Sequence, residues 1–271
     1  MKATLTDLYS YPVKSCRGIR HDAARIDPTG LAGDRHWMVV RPNGRFVTQR
    51  ELPRMALIVT ALRAETLELN APGAKPLVVA REVRGESRDV TVWKFDGRGI
   101  DCGAAAGDWV SAFLETELRL VRFDASAPRV CSPEWTPGAH AVTEFSDGFP
   151  MLVISRASLA DLNARLPKAL PMERFRPNLV IDGVGAYDED RIHELRTDGI
   201  VIRIVKPCMR CAITTTDQQR GERDGVEPLA TLKEFRFDTV LRGVAFGQNA
   251  IPIEGVGQEL RVGQSFEIAW K

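Results

Sequence analysis

The stretch Val205–Asp217, VKPCMRCAITTTD, sets two thiols three residues apart at the end of a β-rich run, Ile200–Val205. Half of a zinc site would look like this, but zinc needs further ligands at a matching spacing. There is no second CxxC, and His21, His36, His140 and His193 fall at no metal-ligand spacing from one another. A thioredoxin-type pair would open a helix; Ala212–Thr216 instead reads as a β-branched strand. Lys206 and Arg210 flank the thiols and favour the thiolate, the form that ligates soft metals. Two ordinary thiols in a β core remain an open alternative on these residues alone.

Strand signals dominate on either side of this stretch. Thr4–Tyr11 alternates, and Trp37–Val40 and Arg45–Thr48 flank Pro42-Asn43-Gly44 as a hairpin. Leu57–Leu62, Thr66–Leu69, Leu77–Val79 and Asp89–Phe95 follow as short strands, the pattern of a small barrel or sandwich. Over Ala104–Thr116 the period changes, and Trp109, Val110, Phe113 and Leu114 share one helical face. Leu118–Phe123 returns as a strand, and Ala125–His140 reads as a crossover rich in Pro, Ser and Gly. Beyond it come a strand at Met151–Ser155, a helix capped by Ser155 or Ser158 and running to Leu166, a strand at Leu179–Ile181, a short helix at Leu229–Phe235 and a closing β segment at Glu259–Trp270. The expectation is a β-dominated α+β protein with units at 1–123 and 146–271 joined by a crossover at 124–145.

The 37 basic and 36 acidic residues nearly cancel, so bulk charge gives no support for a nucleic-acid binder. The first residues lack the apolar core of a secretory signal, and no window has the length of a membrane span, so a cytoplasmic protein with no membrane contact is expected. Five scattered cysteines are read as thiols rather than as a disulfide framework. Basic side chains gather at turns, in Pro12–Arg17, Gly33–Arg35, Arg174–Asn178 and Lys206–Cys211, where they can present fixed donors to an anion or serve in structural ion pairs. Asp34 and Asp217 read as partners of neighbouring arginines or turn caps, and Trp93, Trp109, Trp135 and Trp270 as packing.

Several long segments occur in an order that carries more information than any one of them: YPVKSCRG, GLAGDRHWMVV, GRFVTQRELPRMALI, SRASLADLNARL, RFRPNLVIDG, KPCMRCAITTTDQQRG, EPLATLKEFR and FGQNA. Together they resemble the MOSC-domain family, and within it the amidoxime-reducing members that carry an N-terminal MOSC β-barrel ahead of the MOSC domain. The resemblance covers nearly the whole chain.

What it implies is one molybdenum–pyranopterin (molybdopterin) cofactor held between two domains. By resemblance Cys211 is the metal ligand and catalytic centre, and Cys208 is a supporting thiol. Lys14, Ser15, Arg35, Arg176 and Asn178 would contact the cofactor, with Arg210 and Asn249 beside it. Lys14, Arg35 and Arg176 would counter its phosphate and its anionic metal–dithiolene group, and Asn178 could donate and accept at the pterin edge. Two positions depart from the mitochondrial pattern: Phe149 stands for a serine, and Asn249 for a tyrosine.

The activity implied is reduction of N-hydroxylated or N-oxygenated compounds such as amidoximes, hydroxylamines and N-hydroxylated bases. With no flavin or iron–sulfur motif in view, electrons are expected from a ferredoxin-like or cytochrome b5-like protein and its NAD(P)H reductase. The resemblance also touches the end domain of molybdenum cofactor sulfurases, which implies the alternative of a cofactor carrier or sulfur-transfer module using a cysteine persulfide.

Overall fold

The computed structural model describes residues 1–271, which are mostly strand with three α-helices. Seven strands close a barrel: β1 (Lys2–Ser10), β2 (Met151–Ser155), β3 (Leu179–Asp182), β4 (Ile192–Thr197), β5 (Ile200–Met209), β6 (Gly243–Glu254) and β7 (Ser265–Trp270). Their order around the ring is β2-β3-β1-β7-β4-β5-β6, and β6 pairs back onto β2, which removes the open edges. Ile200, Ile202 and Ile204 recur at period two along β5 and point into the barrel, where Leu5, Val153, Ile181, Leu195 and Phe266 meet them. Burying each such side chain contributes roughly 1.5–3 kcal/mol. The parallel pair β2–β3 needs a crossover, which a helix at Arg156–Arg165 supplies. Its start is capped as predicted, the Ser155 hydroxyl accepting from the Ser158 N–H at 3.0 Å.

The other half has its own core, in which Val13, Trp37, Val39, Met55, Leu67 and Leu120 are fully buried or nearly so. A four-stranded sheet (Trp37–Val40, Arg119–Phe123, Phe95–Asp101, Ser87–Val92) and a three-stranded sheet (Val59–Leu62, Thr66–Asn70, Leu77–Ala80) enclose it. The helix at Ala104–Leu114 lays Val110, Phe113 and Leu114 on this core, as its period predicts. The strand read at Asp89–Phe95 is a hairpin of two strands turning at Trp93, whose φ is 56°. The Trp37–Thr48 hairpin narrows to a single bridge, Val40 to Phe46.

The opening strand β1 is hydrogen-bonded between β3 and β7, with Leu5 opposite Ile181 and Ala3 opposite Phe266, which ties the start of the chain to the barrel. Ile19–His21 and Ala23–Asp27 follow it, pairing with β1 and with Glu259–Arg261. The run Ala212–Thr216 is a 3-10 turn over Ala212–Thr215, not a strand. The Thr214 and Thr215 hydroxyls donate to the carbonyls of Cys211 and Ala212 at 3.0 and 2.9 Å, so β-branched residues here satisfy a turn rather than a ladder. No helix is long and apolar enough to cross a membrane.

Candidate active site

Strand β5 carries Pro207, which has no N–H to give the ladder, and its register against β6 slips between Ile204 and Lys206 and again between Pro207 and Met209. The strand ends with the Arg210 N–H donating to the Val244 carbonyl at 2.7 Å. Cys211 is then extended, and the turn that follows leaves its side chain facing a cleft between the two halves. Lys14, Ser15, Arg35, Arg176, Asn178, Arg210 and Asn249 line the same cleft, so the structure brings together all eight residues singled out by resemblance. The two departures, Phe149 and Asn249, face it as well.

Ser15, Arg35 and Arg176 all have left-handed backbones, with φ of 66°, 53° and 57°. Such conformations are uncommon for residues with a Cβ and gather at binding sites. Backbone hydrogen bonds hold two of them, Arg35 N–H to the distant Tyr11 O at 2.9 Å and Arg176 N–H to Glu173 O, across a turn, at 3.2 Å.

The four cations of the cleft divide into two pairs. Lys14 is buried and donates to Asp147 Oδ1 at 2.6 Å and to the Phe145 carbonyl at 2.7 Å. Burial pushes its ammonium down, and Asp147 works against that. Asp147 keeps 64 % of its side-chain surface. Enclosure would raise its carboxyl, but Lys14 and the Trp93 N–H outweigh this and hold it well below the usual carboxylate range. Arg35 is likewise compensated by Asp34, at 2.5 Å. Arg176 and Arg210 have no acidic partner. Arg176 donates to the Cys16 carbonyl at 2.7 Å and Arg210 to the Phe175 carbonyl at 2.6 Å, and each keeps one buried N–H without any acceptor. The uncompensated positive charge of the cleft therefore sits at Arg176 and Arg210, not at Lys14 or Arg35.

Asn178 acts chiefly as a clamp. Its side-chain oxygen accepts from the Leu152 N–H and from Arg35, and its amide donates to the Tyr9 carbonyl, tying β1, β2 and β3 together. Both halves of the amide are engaged within the protein. Asn249 reaches the Lys206 and Pro207 carbonyls, both at 3.3 Å.

The expectation that flanking cations lower both thiols fails for Cys208. Burial pushes its thiol up, and Arg210, whose Nη1 approaches the sulfur to 2.9 Å, offsets only part of this. Lys206 turns away, its Nζ lying 4.6 Å from the centre of the Trp135 ring. Cys16 belongs to the core of the first half, where burial pushes its thiol up to about 12.

Several residues of the site escaped the sequence reading. Arg50 approaches the Cys211 sulfur at 4.0 Å and stacks on Trp93 at 4.2 Å. Trp93 itself is 49 % exposed at the rim rather than packed away, and its indole N–H donates to Asp147 at 2.9 Å. Tyr11 lies between two arginines of the cleft, with Arg35 and Arg176 at 4.4 and 4.2 Å from its ring. The one available signal for Arg50 was its place in GRFVTQRELPRMALI. The preceding residue, Gln49, is fully buried and exchanges side-chain amide hydrogen bonds with Gln218 across the seam, at 2.8 and 3.1 Å.

Fold and cleft together define a protein of two β modules with a cysteine and unpaired arginines at their junction. The chain matches the MOSC N-terminal beta barrel domain over residues 2–117 and the MOSC domain over 140–267. Bovine mitochondrial amidoxime reducing component 2 is 36% identical, the match covering 86% of this chain and 72% of that protein. Mouse mitochondrial amidoxime-reducing component 1 is 35% identical over 93% of this chain and 76% of its own. Human component 1 is 36% identical, at 86% and 72%. A solution structure of a Bordetella bronchiseptica protein, 22% identical, covers 40% of this chain and 92% of its own with a TM-score of 0.33, too low to inform the fold. The chain belongs to the MOSC-domain family, with an N-terminal MOSC β-barrel module.

The residues present suit the molybdopterin group that this family implies. A half-buried thiol can ligate a soft metal, and the unpaired N–H groups of Arg176 and Arg210 can receive anionic oxygen or sulfur.

Proposed function

We propose that this protein is a molybdenum-cofactor-dependent reductase that removes oxygen from N-hydroxylated small molecules such as amidoximes. The observation that carries this reading is the Cys211 thiol in a cleft where Arg176 and Arg210 present buried donors without acceptors. The names of the relatives support the substrate class. When bound, the cofactor supplies the two-electron chemistry that removes the oxygen.

The chain's own residues hold and orient. Cys211, two residues past the end of β5, would ligate the metal, and Arg176 and Arg210 would offset anionic charge on the cofactor. Lys14 and Arg35, already compensated by Asp147 and Asp34, set the shape of the wall more than its charge. Arg50 and Trp93 border the approach to Cys211, where the guanidinium can donate to the oxygen of an incoming substrate and the indole can take its flat part. Electrons come from a separate small redox protein, ferredoxin-like or cytochrome b5-like, and its NAD(P)H reductase.

The test is elemental analysis joined to an assay with reduced viologen and benzamidoxime. Stoichiometric molybdenum that disappears in Cys211→Ala, together with benzamidine formation, is expected. A molybdenum-replete sample without turnover would overturn the reading, as would cyanide-labile sulfur in a metal-free protein, the signature of a sulfur carrier.

A further inference from the structure

A second cavity lies on the far side of Arg176, the one residue that lines both it and the thiol cleft. Its volume is about 460 Å³, within the range of roughly 300–1,000 Å³ typical of small-molecule sites. Tyr9, Tyr11, Leu170 and Pro171 supply apolar wall, and five cationic side chains face it.

Two of the five are already satisfied: Arg20 pairs with Asp7 at 2.7 Å and Arg174 with Asp224 at 2.6 Å. Arg17, Lys168 and Arg176 have no ion-pair partner. Arg17 meets only the Gln218 carbonyl, at 2.6 Å, and Arg176 the Cys16 carbonyl, leaving its other terminal nitrogen buried and unbonded. Of the two carboxylates in the wall, Asp217 is occupied by Arg220 and by the N–H groups of Gln219 and Arg220. Glu173 stands beside Tyr9. The cavity thus holds more positive charge than it neutralises, part of it on a buried guanidinium, an arrangement that costs folding energy unless an anion offsets it.

We propose that this cavity binds a phosphate monoester carried on a small flat organic group, at a site that meets the thiol cleft only at Arg176. A phosphate monoester carries about −1.5 to −2 charge and three acceptor oxygens, which suits three unpaired cations better than a single carboxylate does. Arg17 and Lys168 take the phosphate, with Arg176 in the wall shared with the thiol cleft, and Tyr9, Leu170 and Pro171 take the ring. Arg17 and Lys168 belong to this cavity alone, so the site does not depend on the chemistry proposed at Cys211.

Isothermal titration of the full chain, as purified, with adenosine monophosphate and with inorganic phosphate tests this. Saturable binding is expected, tighter for the nucleotide. Arg17→Gln and Lys168→Gln should each weaken it by about tenfold or more, the effect of losing a charged hydrogen bond. Lys168 is exposed, so its variant keeps the wild-type melting temperature. Arg210→Gln, which alters only the thiol cleft, should leave the affinity unchanged. Absence of saturable binding at millimolar probe overturns the proposal. So does loss of binding in Arg210→Gln with wild-type affinity in Arg17→Gln, which would put the anion in the thiol cleft. Binding that emerges only after cofactor is stripped overturns it too, because the phosphate would then be the cofactor's own. A metal-free chain that still binds the nucleotide keeps this inference while sinking the proposed reductase.

Discussion

Arg50 Nη1 stands 4.0 Å from the Cys211 sulfur although the two residues are 161 positions apart. The guanidinium has no acidic partner, and it lies over the exposed indole of Trp93. Its place depends on backbone: Arg223 donates to the Arg50 carbonyl at 2.7 Å, and the neighbouring Gln49 locks onto Gln218. Arg50→Gln should leave molybdenum content and melting temperature close to wild type. In the viologen assay kcat/KM should fall on the order of 10–100-fold, the worth of a charged hydrogen bond. Unchanged turnover would remove Arg50 from the site.

The two thiols should separate chemically. Burial keeps Cys208 protonated and Arg210 sits on its sulfur. Iodoacetamide should therefore modify Cys208 more slowly than a free cysteine peptide at pH 8, catching up only as pH climbs beyond the ordinary thiol range. Cys208→Ala should retain the metal at a stability cost of about 1 kcal/mol. Metal lost equally from the Cys208 and Cys211 variants would reverse the assignment of roles.

Gly18 packs on Tyr11 so closely that an added Cβ would lie 2.4 Å from the ring. Tyr11 cannot yield easily, because its hydroxyl donates to the Pro177 carbonyl at 3.0 Å and its N–H to Asp34 at 2.7 Å. Gly18→Ala should cost about 1–3 kcal/mol through overpacking. Since Arg35 and Arg176 rest on that ring, molybdenum content should fall together with the melting temperature. A stable, fully loaded variant would refute the coupling.

His36 and Glu144 face each other at 3.7 Å, near Arg122. Burial pushes the Glu144 carboxyl up to about 8 and the imidazole of His36 down to about 4. The folded chain therefore keeps a proton on Glu144 that the unfolded chain loses above about pH 4.5, so this contribution to stability is lost as pH rises toward about 8. His36 acts in the opposite sense: its contribution is present above about pH 6.5 and is lost as pH falls toward about 4. Glu144→Gln should raise the melting temperature at pH 8 by about 2–4 °C, equivalent to roughly 1 kcal/mol, and leave it near wild type at pH 4.5. An equal shift at both pH values would show that ionisation is not involved.

Much of the architecture could be read along the chain, because each signal was local. Ile200, Ile202 and Ile204 declared a strand by their period, Ser155 declared a helix start, and Cys211 and its basic neighbours marked the chemistry. The motif order also named, by resemblance, eight residues that fold into one cleft. Local pattern misled at Ala212–Thr215, where threonine hydroxyls satisfy a turn that β-branching had suggested was a strand.

Other features depended on meetings in space. The sequence by itself determined which residues carry charge, which can ligate and which alternate into a core. Tertiary structure alone decided that β1 closes the distant barrel, that Asp147 and Asp34 compensate Lys14 and Arg35 while Arg176 and Arg210 stay unpaired, and that Arg50 reaches Cys211. The reason is physical: propensity and period act over a few neighbouring residues, whereas ladder pairing, desolvation and charge compensation depend on distances set only once the chain has closed on itself.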